Sequence, residues 1–334
     1  MIAYLIRRVF AAVATLFVVT AVTFGIFFMI PKATGSDPAQ LFAGRITSPQ
    51  ALEGIRIKLG FDQPLYVQYW RFLKGIFVGR DFNNGPDVTH CSAPCLGYSF
   101  KTDQEVWPLL MDRLPTTMTL AAGAALIWVL FGVSSGLVSS LRKGSLLDRG
   151  LMVTALAGVS LPIYFTGLLA TLLFVYVLPI FPAVEQGLTF GEDPLRYVQQ
   201  MVLPWVTLAF LYAAAYARYT RASMLETLSE DFVRTARAKG LPERRVIARH
   251  ALRPSLTPLI TVFGLDLGAL LGGAILTETT FGLPGMGREV LKALGQLDFP
   301  IILGVTIVGA TFIVVANLFV DLLYGVVDPR VRIK

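Results

Sequence analysis

Residues Ile301–Tyr324 read IILGVTIVGATFIVVANLFVDLLY, an apolar run interrupted by one charged residue, Asp321. A hydrocarbon core about 30 Å thick is crossed by roughly 20 residues of α-helix, so this run is long enough to span a membrane. Five further runs of this kind precede it. Together they predict six membrane-spanning helices, at about Val9–Ile30, Thr116–Leu141, Leu151–Leu178, Met201–Ala217, Ser255–Leu276 and Ile301–Tyr324.

The overall composition agrees with a membrane protein. Of the 334 residues, 54% are hydrophobic and 15% charged, whereas a soluble domain has about 25% charged residues. Arg7 and Arg8 precede the first run, as in a secretory signal peptide, but that run exceeds the roughly 7–15 apolar residues of such signals, so we expect a retained helix. Only two cysteines and two histidines are present, and no metal site is expected.

Basic residues set the expected orientation. Many of the 29 Lys and Arg residues lie between helices four and five, and the positive-inside rule then places both termini and that connection in the cytoplasm. The net charge of +7 is thus a topology signal, and no nucleic-acid partner is expected. We divide the chain into helix one with its N-terminal segment (1–30), an extracytoplasmic insertion between helices one and two (31–112), and a five-helix core (113–334) with a cytoplasmic loop at about 218–254.

The outer insertion carries a helical pattern. Tyr66, Tyr69, Leu73 and Phe77 recur at helical spacing and predict a short amphipathic helix near the membrane surface. A small packed cap without a role in transport is the alternative.

Two cysteines lie in the same insertion. Cys91 and Cys95 occupy a stretch rich in Gly, Pro and Asn, and an outside location favours a disulfide between them. Two free thiols or a metal contact remain the alternatives.

The cytoplasmic loop predicts two short helices joined by a sharp bend. Ser229 is suited to cap the first helix, with Glu230 and Asp231 in its first turn. Gly240 is a natural stop, and Pro242 is typical of the start of the next helix. Such a pair fits a groove on another protein; a basic loop lying on anionic lipid headgroups is the alternative.

Several segments resemble a known family. The segment FVRTARAKG (Phe232–Gly240) is similar to the cytoplasmic coupling loop of ABC importer permeases, above all the first permease of dipeptide, oligopeptide and nickel importers. The segments LGGAILTETTFGLPGMG (Leu271–Gly287), NLFVDLLYGVVDPRVR (Asn317–Arg332) and GFDQPLYVQY (Gly60–Tyr69) resemble the same family. The resemblance implies an all-α, type I ABC importer permease fold with six transmembrane helices, in the cytoplasmic membrane of a prokaryote.

The resemblance also implies partners. It predicts a second homologous permease, two ABC ATPase subunits that use ATP and Mg, an extracytoplasmic substrate-binding protein, and membrane lipid. The chain has no G-x-x-x-x-G-K-[ST] phosphate loop, so we expect a transporter subunit without an ATPase site, catalytic residues or a bound cofactor. The expected ATPase-coupling residues are Phe232, Arg234, Thr235, Ala236, Arg237, Lys239, Gly240, Leu241 and Arg244. Ala236 and Gly240 are assigned to close packing in the ATPase groove, the basic residues to charge contacts, and Phe232 and Leu241 to apolar anchoring.

The sequence departs from the family pattern in three places, one of them a position near Pro254 where the subgroup usually has asparagine. The general motif's glutamate is Arg234 here, although arginine is usual in the peptide subgroup. About fourteen residues holding both cysteines interrupt the outer segment, which puts the usual docking surface in doubt.

The spans contain polar and small residues of interest. Gly264, Gly268 and Gly272 recur every fourth residue and predict a close helix contact, either within the chain or with the partner permease. A carboxylate inside a span is costly, so Asp266 is predicted to line the translocation path and Asp321 to pair with a local arginine. Glu278, near the outer end of helix five, is predicted to help gate the mouth.

The predicted substrate is a di- or oligopeptide moved by alternating access. A nickel or glutathione importer of the same family is the alternative. An ion-coupled secondary transporter is a more distant alternative, because such proteins usually show inverted internal repeats and this sequence shows no clear repeat. A membrane-embedded enzyme is disfavoured because the sequence shows no cluster of catalytic groups.

Overall fold

The computed structural model describes residues 2–33, 53, 56, 62–84 and 87–327. Thirteen α-helices of the described part are named here in chain order. They are α1 (Ile2–Ala33), α2 (Leu65–Val78), α3 (Val106–Trp128), α4 (Ser134–Leu141), α5 (Leu146–Ser160), α6 (Ile163–Thr171), α7 (Pro194–Ser229), α8 (Asp231–Ala238), α9 (Glu243–Arg245), α10 (Leu252–Leu271), α11 (Ile275–Phe281), α12 (Met286–Gln296) and α13 (Phe299–Val327). Three π-helical turns extend them, at Val129–Val133, Leu172–Val177 and Val246–Ala251.

Five helical segments of the described residues are long and apolar enough to cross a membrane. They are Ile6–Ile26, Val106–Leu141, Pro194–Ser229, Glu243–Leu271 and Phe299–Val320. Counted as one broken span, α5 and α6 bring the total to six.

The third predicted span, Leu151–Leu178, therefore differs from expectation. Its two halves are bent by 100°. Pro162 disfavours a helical conformation at the residue before it, and Leu161 has φ −87° and ψ 126°. The span thus contains a sharp corner that its apolar composition alone does not indicate.

The helical core surrounds α7. Trp128 at the end of α3 is fully buried, and its ring stacks on Tyr212 of α7 with centroids 4.6 Å apart. Phe263 of α10 packs against the same indole at 6.1 Å. An aromatic cluster in the middle of three spans therefore fixes their relative positions.

The three glycines of α10 pack against α13 of the same chain. A Cβ on Gly264 would lie 2.0 Å from a methyl of Val320, and one on Gly268 would lie 3.0 Å from the Cβ of Ala316. A Cβ on Gly272 would meet the backbone of Gly309 at 3.1 Å. Of the two alternatives for this face, the structure shows the contact within the chain, where small residues let two helices approach closely.

The outer insertion holds the predicted amphipathic helix, which is confirmed as α2, and two small hairpins. Strand β1 (Arg80–Asn84) pairs antiparallel with β2 (Asp87–Cys91), and β3 (Tyr98–Ser99) with β4 (Gln104–Glu105). In the structure Cys91 and Cys95 form a disulfide, and both are buried beside the rings of Phe82 and Tyr98.

The insertion is fastened to the far end of the chain. Ser99 donates a short hydrogen bond to the buried carboxylate of Asp298, immediately before α13. The Lys101 ammonium donates to the carbonyl of Leu297 at 3.0 Å. The outer insertion, which follows the first helix, is therefore hydrogen-bonded to the residues just before the last helix, α13.

Candidate functional site

The cytoplasmic loop begins differently from the sequence prediction. Helix α7 runs through Ser229, whose hydroxyl donates to the carbonyl of Glu226 at 2.7 Å, so Ser229 is not the cap of the next helix. Glu230 is extended and precedes α8, with no side-chain capping hydrogen bond among the described residues. The prediction of a cap at Ser229 was wrong because α7 continues beyond the end of its apolar pattern and includes Ser229.

The inner face of α8 packs on its own chain. Val233 and Ala236 of α8 are 0% and 5% exposed and contact the fully buried Val246 of the following π-helical turn. Leu241 packs against the same cluster. Ala236 and Leu241, assigned by the sequence to an ATPase contact, are therefore directed toward this chain.

The outer face of α8 is open. Phe232 is 47% exposed, and the Arg234 side chain is 70% exposed. Arg234 forms an ion pair with Asp231 at 3.3 Å, and Arg237, also exposed, forms one with Glu243 at 2.8 Å across the bend. The exposed predicted coupling residues are thus Phe232, Arg234, Thr235, Arg237, Lys239, Gly240 and Arg244.

The bend depends on Gly240. Its φ is +75°, in the left-handed region that favours glycine, and its N–H donates to the carbonyl of Arg237 at 2.9 Å. No heavy atom of the described residues lies within 4 Å of the position of a Cβ there. The expected stop at Gly240 and the helix start after Pro242 are confirmed, and the second helix continues without a break into α10.

A buried ion pair not predicted from the sequence lies at the cytoplasmic end of α7. The carboxylate of Asp148 in α5 is 4% exposed and accepts two hydrogen bonds from the guanidinium of Arg221 in α7, at 2.8 and 3.0 Å. It also accepts from the N–H of Gly144 at 2.8 Å and from the hydroxyl of Ser139. This pair ties α4, α5 and α7 together. The one feature of the sequence that points to a structural role for Asp148 is Ser145, the N-cap of α5, three residues before it.

Asp266 lies at the edge of the aromatic cluster. It is half-buried, and the hydroxyl of Tyr216 in α7 donates to its carboxylate at 2.9 Å. At about 100° per residue, Asp266 points about 160° away from Gly268. The carboxylate therefore faces the opposite side of α10 from the contact with α13. The side chain of Asp321, predicted to pair with an arginine, is outside the described residues.

Glu278 is fully buried and bridges three helices. Its Oε1 accepts from the hydroxyl of Thr117 in α3 at 2.9 Å and from the N–H of Ala274 at 3.2 Å. Its Oε2 accepts from the N–H of Arg288 at 2.9 Å. The hydroxyl of Thr117 accepts in turn from the N–H of Met286 at 2.9 Å.

This network pairs the N–H groups of Met286 and Arg288 at the N-terminus of α12. Unpaired N–H groups at a helix start favour a negative charge, and Arg288 is in the first turn of α12. A Cβ on Gly285 would lie 2.3 Å from the carboxyl carbon of Glu278, so glycine is required for this close approach. Burial raises the pKa of the Glu278 carboxyl, and its hydrogen bonds from Arg288, Thr117 and Ala274 act in the opposite direction.

Comparisons with known proteins agree along the whole chain. Residues 1–121 match the N-terminal model of binding-protein-dependent transport system membrane components, and residues 107–333 match the model of binding-protein-dependent transport system inner membrane components. The di/tripeptide transport system permease protein DppB of Pseudomonas aeruginosa (strain UCBPP-PA14) is 36% identical, with 99% of each chain covered.

Two relatives come from Escherichia coli (strain K12). The dipeptide transport system permease protein DppB is 36% identical, with 100% of each chain covered. The probable D,D-dipeptide transport system permease protein DdpB is 38% identical over 94% of this chain and 92% of its own. The chain is therefore a multi-pass inner-membrane transporter subunit, not an enzyme, and belongs to the family of binding-protein-dependent transport system inner membrane components, the permeases of ABC importers.

Proposed function

We propose that this chain is one of two permease subunits in an ATP-driven importer of di- and oligopeptides. The observation that carries the proposal is its similarity, over the full length, to permeases named for dipeptide and di/tripeptide transport. The remaining components would be a second homologous permease, two ATPase subunits that bind ATP and Mg, and an extracytoplasmic binding protein.

Helix α8 is the proposed contact with an ATPase subunit. The residues of its inner face, Val233 and Ala236, are buried against this chain, so the helix has a defined position. Phe232 and the basic residues beside it are exposed and can enter a groove on a partner. An amphipathic helix set in a groove is a recurrent mode of protein recognition.

The connections of α8 support transmission of movement. On one side it follows α7, a helix of 36 residues that crosses the membrane. On the other side, the bend at Gly240 leads into the segment Glu243–Leu271, which also crosses it. A displacement of α8 by an ATPase would therefore act on two spans at once, and Asp148 with Arg221 would carry it to α5.

The proposed path runs along the α7-facing side of α10. Asp266 is half-buried and Tyr216 is its hydrogen-bond partner among the described residues. A carboxylate held in a span by a single neutral donor is expected to face water or a substrate cation, such as the amino group of a peptide. Glu278 would act on gating by holding α11 and α12 in place, since it is itself fully buried.

The proposal is tested with the complete transporter in proteoliposomes, by measuring the uptake of a labelled dipeptide with ATP and Mg on the ATPase side. Phe232→Ala should reduce both uptake and recovery of the ATPase subunits with the permease. Leu146→Ala is the matched control, because Leu146 is another exposed apolar residue, 84% exposed, outside the loop. Uptake driven by an ion gradient without ATP would refute the proposal.

A further inference from the structure

Helix α2 leaves an exposed aromatic stripe. Tyr66, Trp70 and Phe77 are 75%, 67% and 80% exposed. With about 100° of rotation per residue, the three side chains lie within an arc of about 40°. Exposed aromatic side chains aligned in this way on one face of a helix mark a site of contact with a protein or a membrane.

The opposite side of α2 is fixed on the first membrane-spanning helix. The hydroxyl of Tyr69 lies 2.9 Å from the hydroxyl of Thr20 and donates to the carbonyl of Phe17 at 3.2 Å. The ring of Phe24 lies 5.3 Å from that of Tyr69 and 5.9 Å from that of Phe72.

These contacts set the depth of α2. Thr20 and Phe17 belong to the span Ile6–Ile26 and lie about 9 and 13 Å along the helix from its Ile26 end, at about 1.5 Å per residue. The Tyr69 side chain therefore reaches the level of the hydrocarbon core from the outer side. The ring of Phe17 in α1 packs edge-on against that of Tyr69, with centroids 5.9 Å apart, and Phe17 is 54% exposed, so the surface of α1 beside α2 is apolar and suited to lipid tails.

Basic residues complete the arrangement. Measured from Tyr66, Lys74 and Arg71 lie at about 80° and 140° around the helix, on the side of the stripe away from the buried face, and both are exposed. Around the circumference of α2, the face that contacts α1 is thus followed by the aromatic stripe and then by the two basic residues. Tyrosine and tryptophan concentrate at the membrane–water interface, and basic side chains there bind anionic headgroups.

We propose that α2 is an interfacial helix that binds anionic phospholipid of the outer leaflet, with Tyr66, Trp70 and Phe77 at the boundary of the acyl chains and Lys74 and Arg71 on the phosphates. A protein partner would need no such graded order of aromatic and basic side chains. The interaction is independent of which substrate the transporter carries, and it holds the outer insertion against the membrane.

The test uses Trp70 as a probe in the complete transporter, reconstituted in nanodiscs of brominated phosphatidylcholine or brominated phosphatidylglycerol. The fluorescence of Trp70 is obtained by subtracting the emission of the Trp70→Phe variant from that of the unchanged chain. We expect bromine to quench it in both lipids, and more strongly in mixed discs when the brominated lipid is phosphatidylglycerol. Each basic residue should enrich the anionic lipid about fivefold.

A double variant, Arg71→Gln with Lys74→Gln, should retain the quenching and lose the preference for phosphatidylglycerol. A Trp70 signal that no brominated lipid quenches would overturn the proposal, because another subunit would then cover the stripe. Equal quenching by the two lipids in the unchanged chain would overturn the anionic preference and with it the role of Lys74 and Arg71.

Discussion

Thr117 offers a sharp test of the network around Glu278. The Thr117 side chain is fully buried, its hydroxyl donates to Glu278 and it accepts from the N–H of Met286, each at 2.9 Å. Thr117→Val keeps the shape of the side chain and its β-branching and removes both hydrogen bonds. Thr117→Ser keeps the hydroxyl and removes one methyl group, so it is the matched control.

The expected loss follows from the two contacts. A buried N–H left unpaired at Met286 costs about 1–3 kcal/mol, and a hydrogen bond to a charged group contributes about 1.5–3 kcal/mol. Because both pass through one atom they are not fully additive, and Thr117→Val should lower the free energy of unfolding by about 3 kcal/mol. Loss of the methyl group in Thr117→Ser should cost about 1 kcal/mol.

The measurement is thermal unfolding of the purified complete transporter at one fixed scan rate, since membrane complexes unfold irreversibly. For a chain of this size, about 3 kcal/mol corresponds to a decrease of roughly 4 °C in apparent Tm, and the serine variant should lose about 1.5 °C. If valine proved as stable as serine at this position, the hydroxyl would not hold α12 to α3, and the account of Glu278 would be refuted.

Three further predictions concern the cytoplasmic side and the glycine contact. Asp148→Asn should lower the stability of the permease by about 3 kcal/mol in the same unfolding assay, because it leaves the paired guanidinium of Arg221 without its counter-charge. An unchanged Tm would show that the pair is dispensable. Gly240→Asn should retain dipeptide uptake and Gly240→Val should lose most of it, because asparagine tolerates a positive φ and a β-branched residue does not. Equal loss in both variants would instead indicate that an ATPase packs directly on Gly240. Gly264→Leu should lower the yield of folded permease, and Val320→Ala in the same chain should partly restore it, since Val320 occupies the space that the new side chain needs. Restoration is scored by size-exclusion chromatography in detergent.

The membrane-spanning helices and α2 follow from periodicity and length, which are local properties of the sequence. The corner at Leu161 does not, because its apolar neighbours on both sides continue the run through Pro162. The stop at Gly240 was predictable because glycine is favoured where φ is positive.

The contacts between distant helices were not predictable. Asp148 and Arg221 are 73 residues apart, and Thr117 and Glu278 are 161 apart. A single sequence shows each of these polar residues without its partner, so it predicts a gate residue at Glu278 and no role for Asp148. The same limit applies to Gly264, whose spacing indicates a close helix contact but not which helix provides it.

The hydrogen bond between Ser99 and Asp298 joins residues 199 positions apart. During synthesis, the outer insertion emerges after the first helix, on which α2 packs, but the hydrogen bond of Ser99 forms only once the segment leading into the last helix has been made. A chain truncated before Asp298, or one in which α13 fails to insert, would lack this second attachment of the outer insertion. The fold of the outer insertion therefore depends on insertion of both ends of the chain, the first helix and the last.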